Sequence, residues 1–315
     1  MKIYKAIRAL FLLASSVMMV VSPVSAAVQG IAGPNFTLSA SDGYVSAADG
    51  GSIYSWGYSV NGSPMQLPGP TLIVTEGDTV TVTLNNNLPL AAGNVSIVFT
   101  GHNATATGGV DGALTREAQN NSSVTYSFVA TKPGTYQYHS GTRSDLQVEM
   151  GLFGALIVRP NAVSLSAAGC GTPMYPDATS AGAAYGHPGA CYDREYLFVT
   201  SSIDLQVHND VEAQKSGHGP ILLTEGAFES SEYWMINGRV GPDTMAGNFA
   251  PSLQHQPYGS LARMHPGEKV LVRVVGGGRE VHPFHLHGNH AREIARDGNM
   301  LLNANGNMAG ASIYT

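Results

Sequence analysis

Thr71-Leu72-Ile73-Val74-Thr75-Glu76-Gly77-Asp78-Thr79-Val80-Thr81-Val82-Thr83-Leu84 reads as two strands joined by a tight turn. β-Branched residues crowd both arms, and they pack best on a pleated surface. From Thr79 to Leu84 polar and apolar residues alternate, the period of a strand with one face buried. Glu76-Gly77-Asp78 supplies the turn residues. The same device returns later in the chain, where Pro266-Gly267-Glu268 leads into Lys269-Val270-Leu271-Val272. About 20 residues beyond each turn a further strand is predicted to end in glycine, which marks an internal repeat. The two copies are Ser96-Ile97-Val98-Phe99-Thr100-Gly101 and His282-Pro283-Phe284-His285-Leu286-His287-Gly288. One β-domain is followed by the start of a second.

Strand signals extend outward from that core. Asn94 to Phe99, Ser123 to Ala130 and Thr135 to His139 belong to the first copy, and the apolar run Gly151 to Val158 closes it. Glu195 to Ser201, Tyr233 to Asn237 and Lys269 to Val275 belong to the second. Glycine is abundant, at 38 of 315 residues, and long helical patterns are absent. The prediction is an all-β chain of tandem Greek-key β-sandwich domains, residues 27–160 complete and 193–315 incomplete. Between them, residues 161–192 are rich in Ala, Gly, Ser and Pro and read as a linker. It holds both cysteines, Cys170 and Cys191, which are expected to pair.

Residues 1–26 have the form of a Sec signal peptide. Lys2, Lys5 and Arg8 precede an apolar run from Ala9 to Val21, and Val24-Ser25-Ala26 offers small residues for cleavage after Ala26. That run falls short of the roughly 20 residues a membrane span needs. A periplasmic or secreted protein without a membrane span is expected. Only 12% of residues are charged and the net charge is -6, which excludes nucleic acid as a partner.

The chemistry concentrates in one place. His282, His285 and His287 lie within six residues, in a chain with eleven histidines. Imidazole is a ligand for copper and zinc. On a strand, a separation of two puts His285 and His287 on one face, while His282 takes the other. A pair plus a lone ligand suits two adjacent metal centres; a mononuclear zinc site, or three unrelated surface histidines, are the other readings of that spacing. His187, His208, His218, His255, His265 and His290 sit among polar or turn residues and read as solvated side chains.

His282-Pro283-Phe284-His285-Leu286-His287-Gly288 resembles the H-P-x-H-L-H-G motif of the multicopper oxidases, proteins built of cupredoxin domains. The resemblance implies that His282 ligates a type 1 copper, and that His285 and His287 ligate the type 2 and type 3 coppers of a trinuclear cluster. It reaches into the first domain, where Pro68-Gly69-Pro70-Thr71 resembles the opening and Tyr138-His139-Ser140, with Gln147 and Met150-Gly151-Leu152, the closing segment. It also implies a small-molecule or metal-ion reductant and oxygen as partners.

The first domain departs from the family. Val98-Phe99-Thr100-Gly101 stands where an H-x-H-G is usual, His139 alone remains of a second H-x-H, and Ser140 holds the place of the blue-copper cysteine. His139 is therefore expected to be residual or structural. The family's C-terminal H-C-H-x-x-x-H segment is expected beyond Thr315. Two readings follow: part of an exported multicopper oxidase, inactive by itself, or a non-catalytic cupredoxin scaffold or copper-binding protein of the cell envelope.

Overall fold

A computed structural model describes residues 27–178, 182–288 and 290–313. The expected signal peptide, residues 1–26, lies outside the described residues. No described helix is long and apolar enough to cross a membrane.

Ten strands build the first unit: β1 (Ile31–Ala32), β2 (Asn35–Ser46), β3 (Ser52–Val60), β4 (Leu72–Thr75), β5 (Thr79–Asn86), β6 (Val98–Phe99), β7 (Thr105–Gly108), β8 (Ser123–Val129), β9 (Gly134–His139) and β10 (Phe153–Arg159). They form two five-stranded sheets, in the orders β3-β2-β5-β8-β7 and β1-β4-β10-β9-β6. Apolar residues of both sheets meet between them. Val80, Val82 and Leu84 of β5 point inward, as their alternation requires, and pack with Leu38, Trp56, Tyr126, Tyr138 and Leu156. The all-β class and the cupredoxin-type sandwich are as the sequence predicts.

β10 is buried on both faces, which explains why it reads as a continuous apolar run rather than an alternation. Leu156 and Val158 enter the sandwich core, while Phe153, Ala155 and Ile157 face the other way. There they meet a third sheet of β13 (Arg194–Ile203), β14 (Tyr233–Ile236) and β15 (Val270–Gly276), in the order β14-β13-β15. Its inner face contributes Leu197, Val199, Ile203, Met235 and Val275 to the shared cluster. Its outer face carries Phe198 beside Val274, Thr200 beside Ile236 and Ser202 beside Trp234. Trp234 is 60% exposed, and Ile236 and Val274 stand exposed with it.

The two turns of the internal repeat are built alike down to their side chains. In the first, Asp78 accepts the Thr75 amide at 2.7 Å and returns its own amide to the Thr75 carbonyl at 3.0 Å. In the second, Glu268 accepts the His265 amide at 2.7 Å and donates to the His265 carbonyl at 3.2 Å. Gly77 and Gly267 supply the positive φ, 94° and 87°, that such a turn requires.

Residues 161–192 carry structure of their own: a helix, β11 (Gly182–Ala183) and β12 (Cys191–Tyr192). Cys170 and Cys191 form the expected disulfide, with Cα atoms 5.6 Å apart. The excursion is tied to the second repeat turn, where Tyr175 donates to the Pro266 carbonyl at 3.1 Å and stacks on His265.

Among the described residues, three α-helices arise in a chain without long helical patterns: α1 (Ser144–Glu149), α2 (Ala162–Ala168) and α3 (Leu205–Gln214). Each is short, and α2 and α3 are capped by side chains at their N-termini. Asn161 caps α2 through Ser164, and Asp204 caps α3 by accepting the Gln206 and Val207 amides. The other difference concerns the histidine segment. Residues 282–288 form no ladder and bend at His287 and Gly288, where a strand is predicted. Pairing of β15 with β13 ends at Gly276, and Pro283 removes a backbone donor.

Candidate metal centre

His285 and His287 emerge from the same side of their segment, with ring centroids 4.6 Å apart and planes at 88°. The separation of two thus brings the pair together even without a ladder. Phe284 reaches back to Phe198 on the outer face of the third sheet, at 6.3 Å between centroids. His282 is half-buried, and its Nε2 is buried with no hydrogen-bond partner. A desolvated nitrogen left unpaired costs free energy unless something binds it. A metal ion is such a partner, and copper takes imidazole nitrogen readily. The donor set present, one orphaned imidazole and an exposed imidazole pair, fits copper.

The three histidines do not converge on one point. Among the described residues, the one group of three metal-type side chains with donor atoms within 4.8 Å is Asp177, His265 and Glu268. Its cation is already supplied by Arg194, which reaches Asp177 at 3.0 Å and Glu268 at 2.6 Å. Those contacts hold Glu268 below its ordinary carboxylate range, with Arg194 the largest cause, and His265 is the largest cause for Asp177. It is a charge cluster that pins the excursion to β13.

In the first unit, positions that the sequence resemblance singles out meet across β6 and β9. β6 pairs with β9 so that Val98 lies directly opposite His139. Their side chains share the face of the sheet that looks toward the second unit. His139 Nδ1 donates to the Ser140 carbonyl at 2.9 Å. Ser140, fully buried, donates to Gln147 Oε1 at 2.6 Å. Gln147 in turn donates to the Asn94 carbonyl at 2.8 Å and the Ala92 carbonyl at 3.4 Å. Ser96 and Thr142 extend the chain of bonds to Glu117. Around Ser140 the structure thus holds an internally satisfied hydrogen-bond network that ends on the Glu117 carboxylate.

A cleft of about 370 Å³ separates the units beside His139. Gln137, His139 and Asp145 line it from the first unit, and Gly276, Gly278 and Arg279 from the second. At its wall Arg279 donates to Glu149 Oε2 at 2.6 Å. Glu149 also accepts the Asp204 amide at 2.7 Å, and burial, the largest effect, pushes its pKa up. Sequence reasoning missed both residues, because 130 positions separate the partners and no local pattern links them.

His208 corrects a reading of the sequence. It is 1% exposed rather than solvated, on the inner side of α3. Its Nδ1 donates to the Tyr54 carbonyl at 2.6 Å, and its Nε2 lies 3.2 Å from the Glu149 carbonyl. His255 is likewise engaged, with Nδ1 donating to the Met65 carbonyl at 2.7 Å.

Comparison with known proteins bears on the fold and on the first unit. Residues 46–163 match the family model described as multicopper oxidase. The copper-containing nitrite reductase of Neisseria gonorrhoeae is 29% identical over 240 residues, which cover 76% of this chain and 50% of that protein. The multicopper oxidase MCE of Talaromyces pinophilus is 38% identical over 98 residues, 30% of this chain and 15% of that protein. The chain spans about half the length of the nitrite reductases it matches. Among solved structures, the multicopper oxidase mgLAC superposes with a TM-score of 0.54 at 21% identity, over 82% of this chain and 65% of that one. The blue copper oxidase from Nitrosomonas europaea gives 0.53 at 23% identity, over 85% and 68%. The class is a cupredoxin-fold protein. Within it, the chain is similar to multicopper oxidases and copper nitrite reductases, and residues 46–163 match the multicopper oxidase model.

Proposed function

We propose that this chain is the exported, copper-binding part of a multicopper-oxidase-type oxidoreductase. His282 serves as the type 1 ligand, and His285 and His287 serve the type 2 and type 3 coppers. The remaining ligands come from outside this chain. Copper, when bound, would supply one-electron oxidation of a small-molecule or metal-ion reductant and reduction of oxygen. The observation that carries the reading is the orphaned, buried Nε2 of His282 beside the edge-to-face pair of His285 and His287. The uncovered apolar face at Trp234, Ile236 and Val274 supports an incomplete second domain, since a sandwich covers that face with another sheet. In this reading residues 1–26 are the signal peptide, 27–160 the first cupredoxin domain, 161–192 the linker and 193–315 the second domain.

What the chain's own residues contribute is placement. The pair offers two nitrogens on one side of the segment, and His282 offers a third that is shielded from water. No thiolate is at hand, because both cysteines are bonded to each other. Copper added to this chain should therefore leave it nearly colourless, since intense absorption at roughly 600 nm needs a copper–thiolate bond. Cu(II) binding followed by electron paramagnetic resonance is the test. A His285→Ala/His287→Ala variant should lose most of the binding; equal binding by the two proteins would sink the assignment.

A second reading has one observation in its favour. The satisfied Ser140–Gln147 network removes the first domain's metal chemistry, as suits a non-catalytic cupredoxin scaffold or copper-binding protein of the cell envelope. Oxygen consumption by the longest natural form of the protein, with copper and a reductant, separates the two.

A further inference from the structure

The histidine segment has no ladder to hold it. Residues 281–288 make no strand pairing, Val281 is 94% exposed, and His285 and His287 are exposed. β15 ends on Gly276, and Gly277 and Gly278 follow it before the segment begins. Glycine is the residue with the greatest backbone freedom, so β15 alone cannot transmit a direction through them. Gly277 still donates to the Thr200 carbonyl at 2.6 Å, and beyond it the chain bends. The next fixed point is Arg279.

Arg279 is held from several sides. One arm donates to Glu149 Oε2 at 2.6 Å, and the other to the Ser230 carbonyl at 2.9 Å and Ser231 Oγ at 3.0 Å. Asp204 Oδ2 lies 3.5 Å from it, and the Phe228 ring faces the guanidinium at 5.4 Å. Those partners come from the end of α1, the cap of α3 and the approach to β14. A planar fork can satisfy such a set, where an ammonium would meet it only in part.

We propose that Arg279, through Glu149, is the positioning residue of the histidine segment. It fixes where the chain leaves the glycines, and so seats His282 Nε2 in its buried place and aims the His285–His287 pair. His282 lies only three residues on, within about 10 Å of backbone reach. The proposal rests on the copper reading of His282, His285 and His287. It adds that the first unit, although stripped of its own metal site, orients the ligands of the second through Glu149.

Replacing Arg279 alone leaves the Glu149 carboxylate buried without its cation, which threatens folding. Arg279→Met/Glu149→Gln removes the clamp without that mismatch. Asp204 tolerates the change because it also accepts the amides of Gln206, Val207 and Phe228. This double variant should keep the parent's melting midpoint, yet bind the first Cu(II) about 10- to 100-fold more weakly, as loss of an orienting partner does. Its paramagnetic resonance spectrum at matched loading should change as well. Hydrogen exchange of the 281–288 amides, measured without metal, should quicken. Arg279→Lys, with Glu149 retained, should recover part of the affinity. Unchanged exchange in the double variant overturns the clamp whatever copper does. If exchange quickens but the parent and His285→Ala/His287→Ala bind copper equally, the clamp stands and the copper reading falls.

Discussion

At the scale of single residues, burial changes what a histidine is. His208 sits between the Tyr54 and Glu149 carbonyls, and desolvation, the largest effect, lowers its pKa below the ordinary 6.5. The unfolded chain therefore takes up a proton at a pH where the folded protein does not. Stability contributed by His208 is present above about pH 6.5 and is lost as pH falls toward its lowered value. His102 shifts the same way through burial, and Glu149, with its raised pKa, works in the opposite direction. Comparing His208→Gln with the parent at each pH cancels both. Urea denaturation between pH 7 and pH 5 should show a shallower acid loss in the variant; identical slopes would mean that His208 is charged in the fold. His285 and His287 needed no such correction, because their pairing rests on a local period of two.

At the scale of elements, satisfied polar groups decide what the first unit can hold. Gln147, near the end of α1, closes the network below Ser140 and ties the helix to the Ala92 and Asn94 carbonyls. Gln147→Leu should leave Ser140 and those carbonyls buried without their partner, at a cost of about 1–3 kcal/mol by urea denaturation. A neutral outcome would mean that the network is wet. The disulfide acts on the excursion. Replacing Cys170 and Cys191 together by Ala should cost about 3 kcal/mol, the chain-entropy value for a loop of about 20 residues. The turn repeat was legible because a turn acid and a glycine are local signals. The β2–β3 hairpin was not, since Gly43, Gly51 and Gly57 interrupt its pattern and only pairing with β5 orders it.

At the scale of the whole molecule, the third sheet packs against the first unit rather than standing apart from it. Its inner face completes the cluster around Phe153, Ala155 and Ile157, and Glu195 stands at the seam. Glu195 pairs with Arg273 at 3.0 Å and with Arg159, while Arg273 donates to Thr135 at 2.9 Å. Glu195→Ala should cost about 3–5 kcal/mol, because Arg273 is then buried without its anion. Calorimetry of the parent should show one cooperative transition, since the two units share a core. Two resolved transitions, the second untouched by Glu195→Ala, would contradict that.

What the sequence by itself determined is whatever depends on neighbours within a few positions. Period-two alternation specified β5, an acid and a glycine specified the paired turns, and spacing specified the His285–His287 pair. Tertiary structure decided the rest. β10 reads as an unbroken apolar run, but only the third sheet shows what its second face is for. Nothing near Glu149 or Arg279 announces their contact across 130 residues, nor does the sequence around His208 announce its burial. Such contacts depend on how sheets pack, and packing joins residues that share no local pattern.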